Sequence, residues 1–322
     1  MVQIRFKQFA LKKAELGQVN LLYETTRMKK LKIAAIQMCS KEDRNDNLKS
    51  ASKLMGQAIT DGAQLIALPE NFSFIGSESD KIKMAEDYNN GPSVKFLKKF
   101  AMEQGVAIIG GSIPLKTAHT SKVTNTCMVF DVKGRAVARY DKLHLFDVSL
   151  DDENTFEESK HTKTGDRVVT VELFGRIMGL SICYDLRFPE LYRALVLRGA
   201  EILFVPSAFT LYTGKDHWES LLRARAIENQ CFVVAPAQYG KHSSRRISYG
   251  RTMIIDPWGQ ILSQCQDKED VITWEIDFDF LDDIRKRLPC LEHIRREKFF
   301  SQSSEEVAQK SYEIQNLNRN RR

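Results

Sequence analysis

Cys183 stands where a predicted strand passes into a predicted helix. It follows the apolar run RIMGLSI and precedes YDLRFPE, which is typical of the start of a helix. A side chain at such a turn projects into the crevice at the carboxyl end of the strand, next to the first backbone N–H groups of the helix. Those amides favour a thiolate and can also hold an oxyanion. The position predicts either a nucleophilic thiol or a buried cysteine that only packs in the core.

Two charged residues follow other predicted strands, Glu70 in ALPEN and Lys142 in RYDKLHLF. A thiol with a pKa near ~8.5 is mostly protonated at neutral pH, so Cys183 would need a base, and Glu70 is the candidate. Lys142 lies just after a predicted strand, between Asp141 and Leu143, and its charge could stabilise an oxyanion. A surface carboxylate and a solvated loop lysine are the alternatives. His144 could form a Cys–His dyad, but beside two leucines a structural hydrogen bond is the preferred interpretation.

Strands and helices alternate around these residues. Both crossovers and hairpins occur, which indicates an α/β class with mixed sheets. The first predicted helix begins at a cap on Asn45 or Asp46, and the run 216–229 is a later helix. Three strands at 251–255, 260–263 and 271–276 are expected to complete a meander. The remaining predicted strands are 31–39, 63–68, 106–113, 124–130, 136–140, 176–182, 201–206 and 230–237, and the remaining predicted helices are 93–104 and 189–198.

The charge of this chain lies at its ends. The 322 residues carry a formal charge of +6. Residues 1–30 have a balance of +5, residues 285–300 one of +4 and residues 301–322 one of +1, which leaves −4 for 31–284. A mildly acidic body argues against a basic groove for nucleic acid, so no nucleic-acid partner is expected. No apolar run is long enough to span a membrane, so no membrane partner is expected either.

The predicted domain boundaries follow from the same distribution of charge along the chain. Residues 31–300 are predicted to form one domain, and 301–322 a polar tail. Residues 1–30 are an N-terminal extension, either a mitochondrial presequence or an unstructured arm, and Met28 is an alternative start. Six scattered cysteines without a C-x-x-C pair indicate a reduced, intracellular chain, which predicts a cytoplasmic location unless residues 1–30 target mitochondria. No histidine spacing suggests a metal, and neither a metal nor a cofactor is expected.

Three blocks together resemble the nitrilase superfamily of carbon–nitrogen hydrolases. They are ALPENF around Glu70, YDKLHLFDV around Lys142 and ICYDLRFPELYR around Cys183. The resemblance implies a Glu–Lys–Cys triad in a four-layer α-β-β-α sandwich with two mixed sheets, paired into a homodimer or a higher homo-oligomer. It also implies that Glu158, in TFEESK, is an additional active-site residue that positions Lys142 or the leaving group. The Tyr184 backbone N–H is then an oxyanion donor.

The residue sequences of two further blocks narrow the resemblance to one branch of the superfamily. HWESLLRARAIENQCFVVAPAQYGKH and SYGRTMIIDPWG resemble the branch that contains the deaminated-glutathione amidases. This implies an amidase that hydrolyses a small-molecule amide, deaminated glutathione, to 2-oxoglutarate and Cys-Gly through a thioester. The alternatives are an ω-amidase acting on 2-oxoglutaramate or 2-oxosuccinamate, and a non-catalytic interaction partner with the same fold. Asp216 departs from the small residue expected there, and it is predicted to lie near the pocket wall.

The candidate substrate contacts are Arg187, Phe209 and Thr210. Arg187 could bind a substrate carboxylate, but an ion pair with Glu190 or Glu70 is the preferred interpretation. In the 216–229 helix, Arg225 shares a face with Trp218 and is expected to pack in the core beside a carboxylate. The loop 241–246 is either a solvated charge run or an anion site.

Overall fold

The computed structural model describes residues 27–118, 120–149, 155–243 and 246–295. Contacts divide the chain into a large unit, Met1–Ile284, and a short unit, Arg285–Arg322. Most of the extension 1–30 and the whole tail 301–322 lie outside the described residues, so the domain boundaries stay predictions.

The described residues form seventeen strands and six helices. The strands are β1 (Lys30–Gln37), β2 (Leu65–Ala67), β3 (Ala107–Ile109), β4 (Ile113–Lys116), β5 (Val123–Phe130), β6 (Ala136–Asp141), β7 (Asp147–Ser149), β8 (Thr155–Glu157), β9 (Thr170–Leu173), β10 (Arg176–Leu180), β11 (Ile202–Phe204), β12 (Phe232–Ala235), β13 (Tyr239–Lys241), β14 (Ile247–Tyr249), β15 (Met253–Ile255), β16 (Ile261–Gln264) and β17 (Asp270–Asp277). The helices are α1 (Arg44–Thr60), α2 (Glu78–Met84), α3 (Pro92–Gln104), α4 (Pro189–Leu197), α5 (Leu211–Asn229) and α6 (Phe278–Arg287).

Two mixed sheets carry the fold. The first has the order β17-β1-β2-β3-β5-β4, and β6 also pairs with β5. In it β1, β2 and β3 run parallel, and the other pairings are antiparallel. The second sheet has the order β16-β15-β12-β11-β10-β9, with β10, β11 and β12 parallel. The remaining strands form two short hairpins, β7–β8 and β13–β14. Each sheet thus has a parallel centre, whose strand ends point to one edge.

The apolar pattern explains the layers. Strand β1 is apolar on both faces, as a central parallel strand should be. Its residues Ala34 and Ile36 pack against the buried face of α1, which presents Met55 and Ala58. Ile33 and Ala35 point to the opposite face and are fully buried as well. Helices α1 and α3 contact the first sheet, and α4 and α5 contact the second. The large unit is therefore a four-layer α-β-β-α sandwich, and the predicted fold class is confirmed.

Two helix starts differ from the sequence prediction. Helix α1 is capped by Asp43, whose side chain accepts the Asp46 N–H at 3.0 Å, and not by Asn45 or Asp46. Helix α5 begins at Leu211, because the Thr210 side chain caps it by accepting the Thr213 N–H. The prediction began this helix at residue 216, where the apolar periodicity becomes clear.

The predicted meander at 251–276 is wrong in its last strand. β15 and β16 form a hairpin in the second sheet. β17 leaves that sheet and pairs antiparallel with β1 over its whole length, from Lys30 opposite Asp277 to Gln37 opposite Asp270. Full pairing with a long central strand satisfies more backbone groups than an edge position beside the four-residue strand β16 would. The chain thus closes the first sheet with one of its last strands.

Membrane spans and metal clusters are both missing from the part of the chain that the structure describes. No described helix combines the length and the apolar character that crossing a membrane requires. No group of three or more His, Cys, Asp or Glu side chains among the described residues is placed to hold a metal ion.

Candidate active site

Glu70 lies just beyond the end of β2 in a tightly packed segment. Gly111 adopts φ +59°, and its backbone comes so close to the Pro69 carbonyl that a Cβ atom would overlap it. The Asn71 N–H donates to Ser112 Oγ at 3.0 Å, and Asn71 has a positive φ of 55°. These contacts turn the chain at the end of the strand. The turn leaves Glu70 buried, with 3% of its surface exposed.

Lys142 directly follows β6, which pairs with β5. The Lys142 N–H donates to the Asn125 carbonyl of β5 at 2.9 Å, and the Lys142 side chain is 2% exposed. Its Nζ lies 3.1 Å from Glu70 Oε1 and 2.9 Å from Glu158 Oε2. Asn125 Nδ2 donates to the same two carboxylates, at 2.9 Å and 3.2 Å. One buried amine and one buried amide therefore hold both carboxylates together.

Glu158 starts a short 3-10 turn after β8 and is buried, so it is not a solvated loop carboxylate. Its Oε2 also accepts the Phe146 N–H at 2.8 Å. Burial alone would raise the pKa of Glu158, but Lys142, Lys81 and these hydrogen bonds lower it to about 2. Glu158 is therefore an anion beside Lys142 at neutral pH.

Cys183 follows β10 at the start of a 3-10 turn, Cys183–Arg187, and α4 begins only at Pro189. Its φ of +50° is unusual for a residue with a side chain, and its N–H donates to the Pro206 carbonyl at 2.9 Å. The Cys183 thiol and the Glu70 carboxylate line the same cleft, and each shifts the pKa of the other. Glu70 Oε2 also accepts the Ala208 N–H, at 2.8 Å. The parallel ends of both sheets thus meet at Glu70 and Cys183.

The charges of this cluster settle which group carries which proton. Burial favours the protonated form of Glu70, but Lys142, with smaller contributions from Cys183 and Arg246, holds the pKa of Glu70 below its usual 4.5. Burial would likewise lower the pKa of Lys142, but Glu158 and Glu70 raise it well above 10.5. Burial and the Glu70 charge raise the pKa of the Cys183 thiol. At neutral pH the site holds a neutral thiol beside an ionised carboxylate and a charged lysine.

His144 does not form a Cys–His dyad with Cys183. Its Nδ1 is 2.7 Å from Asp185 Oδ1, and its ring stacks on Phe188 with centroids 3.6 Å apart. Asp185 is fully buried and accepts hydrogen bonds from Tyr140 Oη at 2.6 Å and from the His144 N–H at 3.0 Å. The structural interpretation of His144 is therefore the right one. This network ties the Lys142 segment to the turn that carries Cys183.

A cleft of about 620 Å³, including the part open to solvent, is lined by Glu70, Lys142, Glu158 and Cys183. Its wall contains Arg187, Phe209 and Thr210 from the predicted substrate contacts, together with Tyr184. The full lining comprises Glu70, Asn71, Lys81, Lys142, Phe146, Phe156, Glu157, Glu158, Cys183, Tyr184, Arg187, Ala208, Phe209, Thr210, Thr213, Arg246, Ile247 and Ser248. The cleft thus combines aromatic walls with cationic side chains.

Arg187 forms neither predicted ion pair with the described Glu190 or Glu70. Its guanidinium carbon lies 5.1 Å from the centre of the Phe209 ring, and its Nη1 is 3.3 Å from His217 Nδ1. Stacking on an aromatic ring keeps the guanidinium at the cleft wall. The preferred ion-pair interpretation is therefore wrong for both partners, and contact of Arg187 with a substrate stays a prediction.

Two other predictions concern helix α5. Asp216 is exposed and does not itself line the cleft, whereas Thr213, one turn earlier, does. The predicted place of Asp216 near the pocket wall stays a prediction. Arg225 is buried beside the fully buried Trp218 and pairs with Glu228 at 2.8 Å, as expected.

Sequence reasoning missed Asn125 and Lys81, and it considered Arg246 only as part of the loop 241–246. Asn125 had one available signal, because it is an amide inside strand β5, which is buried throughout. Lys81 lies on a short helix among other charged residues, and nothing in the sequence distinguishes it from Lys83. Both lysines fit a solvated helix equally well, but Lys81 alone is buried at the cleft.

The sandwich and the comparisons with known proteins define an enzyme that hydrolyses carbon–nitrogen bonds of amides. The sequence model described as "Carbon-nitrogen hydrolase" matches residues 32–286, and the chain belongs to this family. The resemblance to the nitrilase superfamily is confirmed.

Relatives and solved structures agree on the family. The "Deaminated glutathione amidase" of Synechocystis is 46% identical over 270 residues, which cover 83% of this chain and 98% of the relative. The crystal structure of the Caenorhabditis elegans NitFhit protein matches with a TM-score of 0.80 at 37% identity, over 85% of this chain and 67% of that chain. Saccharomyces cerevisiae Nit3, a member of branch 10 of the nitrilase superfamily, matches with a TM-score of 0.76 at 29% identity, over 84% and 97%.

Proposed function

We propose that this protein is a deaminated glutathione amidase, which hydrolyses its substrate to 2-oxoglutarate and Cys-Gly. One observation carries the proposal: Cys183 and Glu70 lie together in the cleft, and Lys142 Nζ lies 3.1 Å from the Glu70 carboxylate. A base, a nucleophile and a cation within contact of one another are what amide hydrolysis through a covalent intermediate requires. The name of the relative that is 46% identical supports the choice of substrate.

Acylation begins with proton transfer from the Cys183 thiol to the Glu70 carboxylate. The thiolate attacks the amide carbon, and the negative charge moves to the carbonyl oxygen. The Lys142 ammonium and the Tyr184 backbone N–H stabilise this oxyanion, since the first amides of a helical turn have no partner within that turn. Glu70 then returns its proton to the leaving nitrogen, and the carbon–nitrogen bond breaks. The products of this half-reaction are the amine and a thioester on Cys183.

Deacylation repeats the proton transfers with water. Glu70 takes a proton from a water molecule, whose oxygen attacks the thioester carbon. The tetrahedral intermediate again places its oxyanion at Lys142 and Tyr184. Collapse expels the thiolate, which regains the proton held by Glu70. The carboxylic acid leaves and the enzyme returns to its starting state.

Glu158 serves by position and not by proton transfer. Its carboxylate is 2.9 Å from Lys142 Nζ, and its pKa of about 2 keeps it ionised throughout. It therefore keeps Lys142 charged and aimed at the reacting oxygen. Asn125 fixes Glu70 and Glu158 relative to one another through its two hydrogen bonds.

Arg187 supplies the contact to the carboxylate of the 2-oxoglutaryl group. It follows Cys183 by one turn and lies over the Phe209 ring at the cleft wall. A planar guanidinium can bind a carboxylate through two parallel hydrogen bonds. The aromatic walls at Phe209 and Tyr184 cover the apolar carbons of the acyl chain.

The test is a kinetic comparison of deaminated glutathione with 2-oxoglutaramate, using the wild-type protein, Cys183→Ala and Cys127→Ala. Cys127 is a buried thiol in β5 that does not line the cleft, and it controls for the loss of a buried sulfur. We expect Cys183→Ala to lower kcat/KM by about 10³-fold or more, and Cys127→Ala to retain activity.

A higher kcat/KM for deaminated glutathione supports the proposed substrate. A higher value for 2-oxoglutaramate would make the protein an ω-amidase instead. Wild-type activity in the Cys183→Ala protein would refute the mechanism. Absence of activity on either compound, together with a Cys183 thiol that no electrophilic probe labels, would point to a non-catalytic interaction partner.

A further inference from the structure

Two cationic side chains of the cleft have no part in the mechanism above. Lys81 and Arg246 line the cleft together with Lys142 and Arg187. Lys81 is only 4% exposed, although lysines are rarely buried to this extent. The fold therefore places the charge of Lys81 in the wall of the cleft.

The segments that carry these two cations are anchored at the same place. The Ile75 N–H, just before α2, donates to the Lys41 carbonyl at 2.9 Å. His242, in the loop before Arg246, places Nδ1 2.8 Å from the Ser40 carbonyl. The segment before α2 and the loop that contains His242 are therefore both hydrogen-bonded to residues 40–41, just beyond β1. Each leads to one of the two cations that line the cleft. Ser40 Oγ also donates to the Phe72 carbonyl at 2.8 Å, which fixes the segment before α2.

Both cations also act on the reactive carboxylates. After the larger effects of burial and Lys142, the Lys81 charge further lowers the pKa of Glu158. The Arg246 charge adds a smaller effect in the same direction on Glu70, whose pKa burial and Lys142 chiefly determine. Lys81 and Arg246 also line the same cleft as Cys183, so both lie within reach of an amide bound there.

The proposed substrate has two carboxylates, one at each end. Arg187 accounts for the carboxylate of the acyl group, on the turn of Cys183 itself. The second carboxylate belongs to the glycine of the leaving Cys-Gly dipeptide. The ω-amidase substrate 2-oxoglutaramate lacks it, because its leaving group is ammonia. A site for that carboxylate would therefore separate the two activities.

We infer that Lys81 and Arg246 bind the terminal carboxylate of the leaving dipeptide, and that they determine specificity for an anionic leaving group. The inference rests on the proposed function, since it concerns the same substrate. It assigns Lys81 and Arg246 to the leaving-group side of the cleft and leaves Arg187 to the acyl side.

The experiment compares three substrates: deaminated glutathione, the same compound with its terminal carboxylate converted to an amide, and 2-oxoglutaramate. Each is assayed with the wild-type protein, Lys81→Met and Arg246→Met. The control is Lys83→Met, which removes an exposed lysine two residues away on α2. Removing a charge-assisted hydrogen bond from the transition state lowers kcat/KM by about 10- to 100-fold.

We expect each cleft variant to lose this factor on deaminated glutathione relative to its turnover of 2-oxoglutaramate, which has no second carboxylate and therefore reports any effect on Glu70 and Glu158 alone. The wild-type protein and Lys83→Met should prefer the acid over its terminal amide, and Lys81→Met and Arg246→Met should lose that preference. Lys81→Arg, which keeps the charge, should retain it. Retained turnover of 2-oxoglutaramate shows that a variant is folded.

Two results would overturn the inference, and they differ from one another. If the variants keep the wild-type preference for the acid over the terminal amide, or lose activity on all three substrates equally, Lys81 and Arg246 do not bind that carboxylate and the proposed function stands. If the wild-type protein turns over 2-oxoglutaramate but neither dipeptide substrate, the proposed substrate and the inference both fail.

Discussion

Lys142 is the residue around which the other charges are arranged. It contacts Glu70 at 3.1 Å and Glu158 at 2.9 Å, and all three side chains are buried. Burial and the Glu70 charge together raise the pKa of the Cys183 thiol, and the Lys142 charge opposes them. The proton therefore stays on sulfur until a substrate arrives. The site therefore differs from one that stores a ready thiolate, because Glu70 must accept the proton during the reaction.

This arrangement makes an unusual prediction for Glu70→Gln. Besides burial, the Glu70 charge raises the pKa of Cys183, and Lys142 opposes it. Removing the Glu70 charge should lower the thiol pKa, so that alkylation of Cys183 by iodoacetamide becomes faster at neutral pH. Amide hydrolysis should fall by about 10²- to 10⁴-fold, because the general base is lost. Alkylation rates and kcat/KM are measured on the same preparation.

The control is Glu219→Gln, which removes an exposed carboxylate from α5. Neither rate should change in it. Slower alkylation in Glu70→Gln would mean that Glu70 raises thiol reactivity in the resting enzyme, contrary to the charge assignment given above.

At the scale of elements, the turn after β2 has to place Glu70 beside strand ends from the second sheet. Gly111, two residues beyond β3, permits this because it brings its backbone against the Pro69 carbonyl at φ +59°. The Ser112 N–H then donates to that carbonyl at 3.3 Å. The contact joins the ends of two neighbouring parallel strands.

Gly111→Ala should therefore both destabilise the fold and displace Glu70. We expect a loss of about 1–3 kcal/mol in the free energy of unfolding, measured with denaturant, and a lower kcat. The matched control is Gly56→Ala in α1, where a Cβ atom would meet nothing within 4 Å. It should stabilise the protein by about 1 kcal/mol, because alanine favours a helix interior. Equal effects of the two substitutions would contradict this account of the turn.

Local sequence patterns predict which functional residues lie at strand ends better than they predict which other residues contact them. Glu70 and Cys183 were found from residues at the ends of apolar runs, a signal that lies within each segment. Glu158 was chosen only through the family resemblance, since its acidic neighbours carry the same local signal. Asn125 was missed because the carboxylates that satisfy it lie 55 and 33 residues away in the chain.

The same limit explains the error in β17. Its alternation predicts a strand, but periodicity does not say which sheet a strand joins. Its partner β1 lies more than two hundred residues earlier, as the Lys30–Glu275 ion pair across the two strands illustrates. The strand with which β17 pairs is determined by the packing of the whole domain, and not by the residues next to β17 in the sequence.

At the scale of the whole molecule, we expect the free energy of unfolding to fall as the pH becomes acidic. Burial lowers the pKa of His242 from its usual 6.5 to about 4, and the charges around Glu158 lower its pKa from 4.5 to about 2. Both groups bind protons more readily in the unfolded chain than in the folded one. Stability is therefore fully present above the unfolded-state pKa and is lost as the pH falls toward the folded-state pKa.

His242 acts in the upper part of this range, between pH 6.5 and pH 4. The free energy of unfolding should fall there by up to about 1.4 kcal/mol per pH unit from this residue. Urea titrations of the wild-type protein and His242→Gln measure it, and the variant should show the smaller slope. Parallel slopes would mean that His242 does not couple folding to pH.

The positive charge of the chain lies outside the part that performs chemistry. The formal +6 comes from residues 1–30 and 285–322, and the body between them carries −4. The homo-oligomer and the mitochondrial targeting by residues 1–30 stay predictions. The cleft is cationic through Lys81, Arg187 and Arg246, so the local field and not the net charge suits an anionic substrate.

The central claim is that Cys183 forms a thioester with the acyl group of the substrate. Rapid acid quench of the wild-type protein with deaminated glutathione, followed by peptide mass spectrometry, tests it directly. We predict one added 2-oxoglutaryl group on the peptide that contains Cys183, and none on that peptide in Cys183→Ala. The group should form and disappear at rates compatible with kcat. Turnover without this adduct, or with an adduct on another residue, would contradict the account.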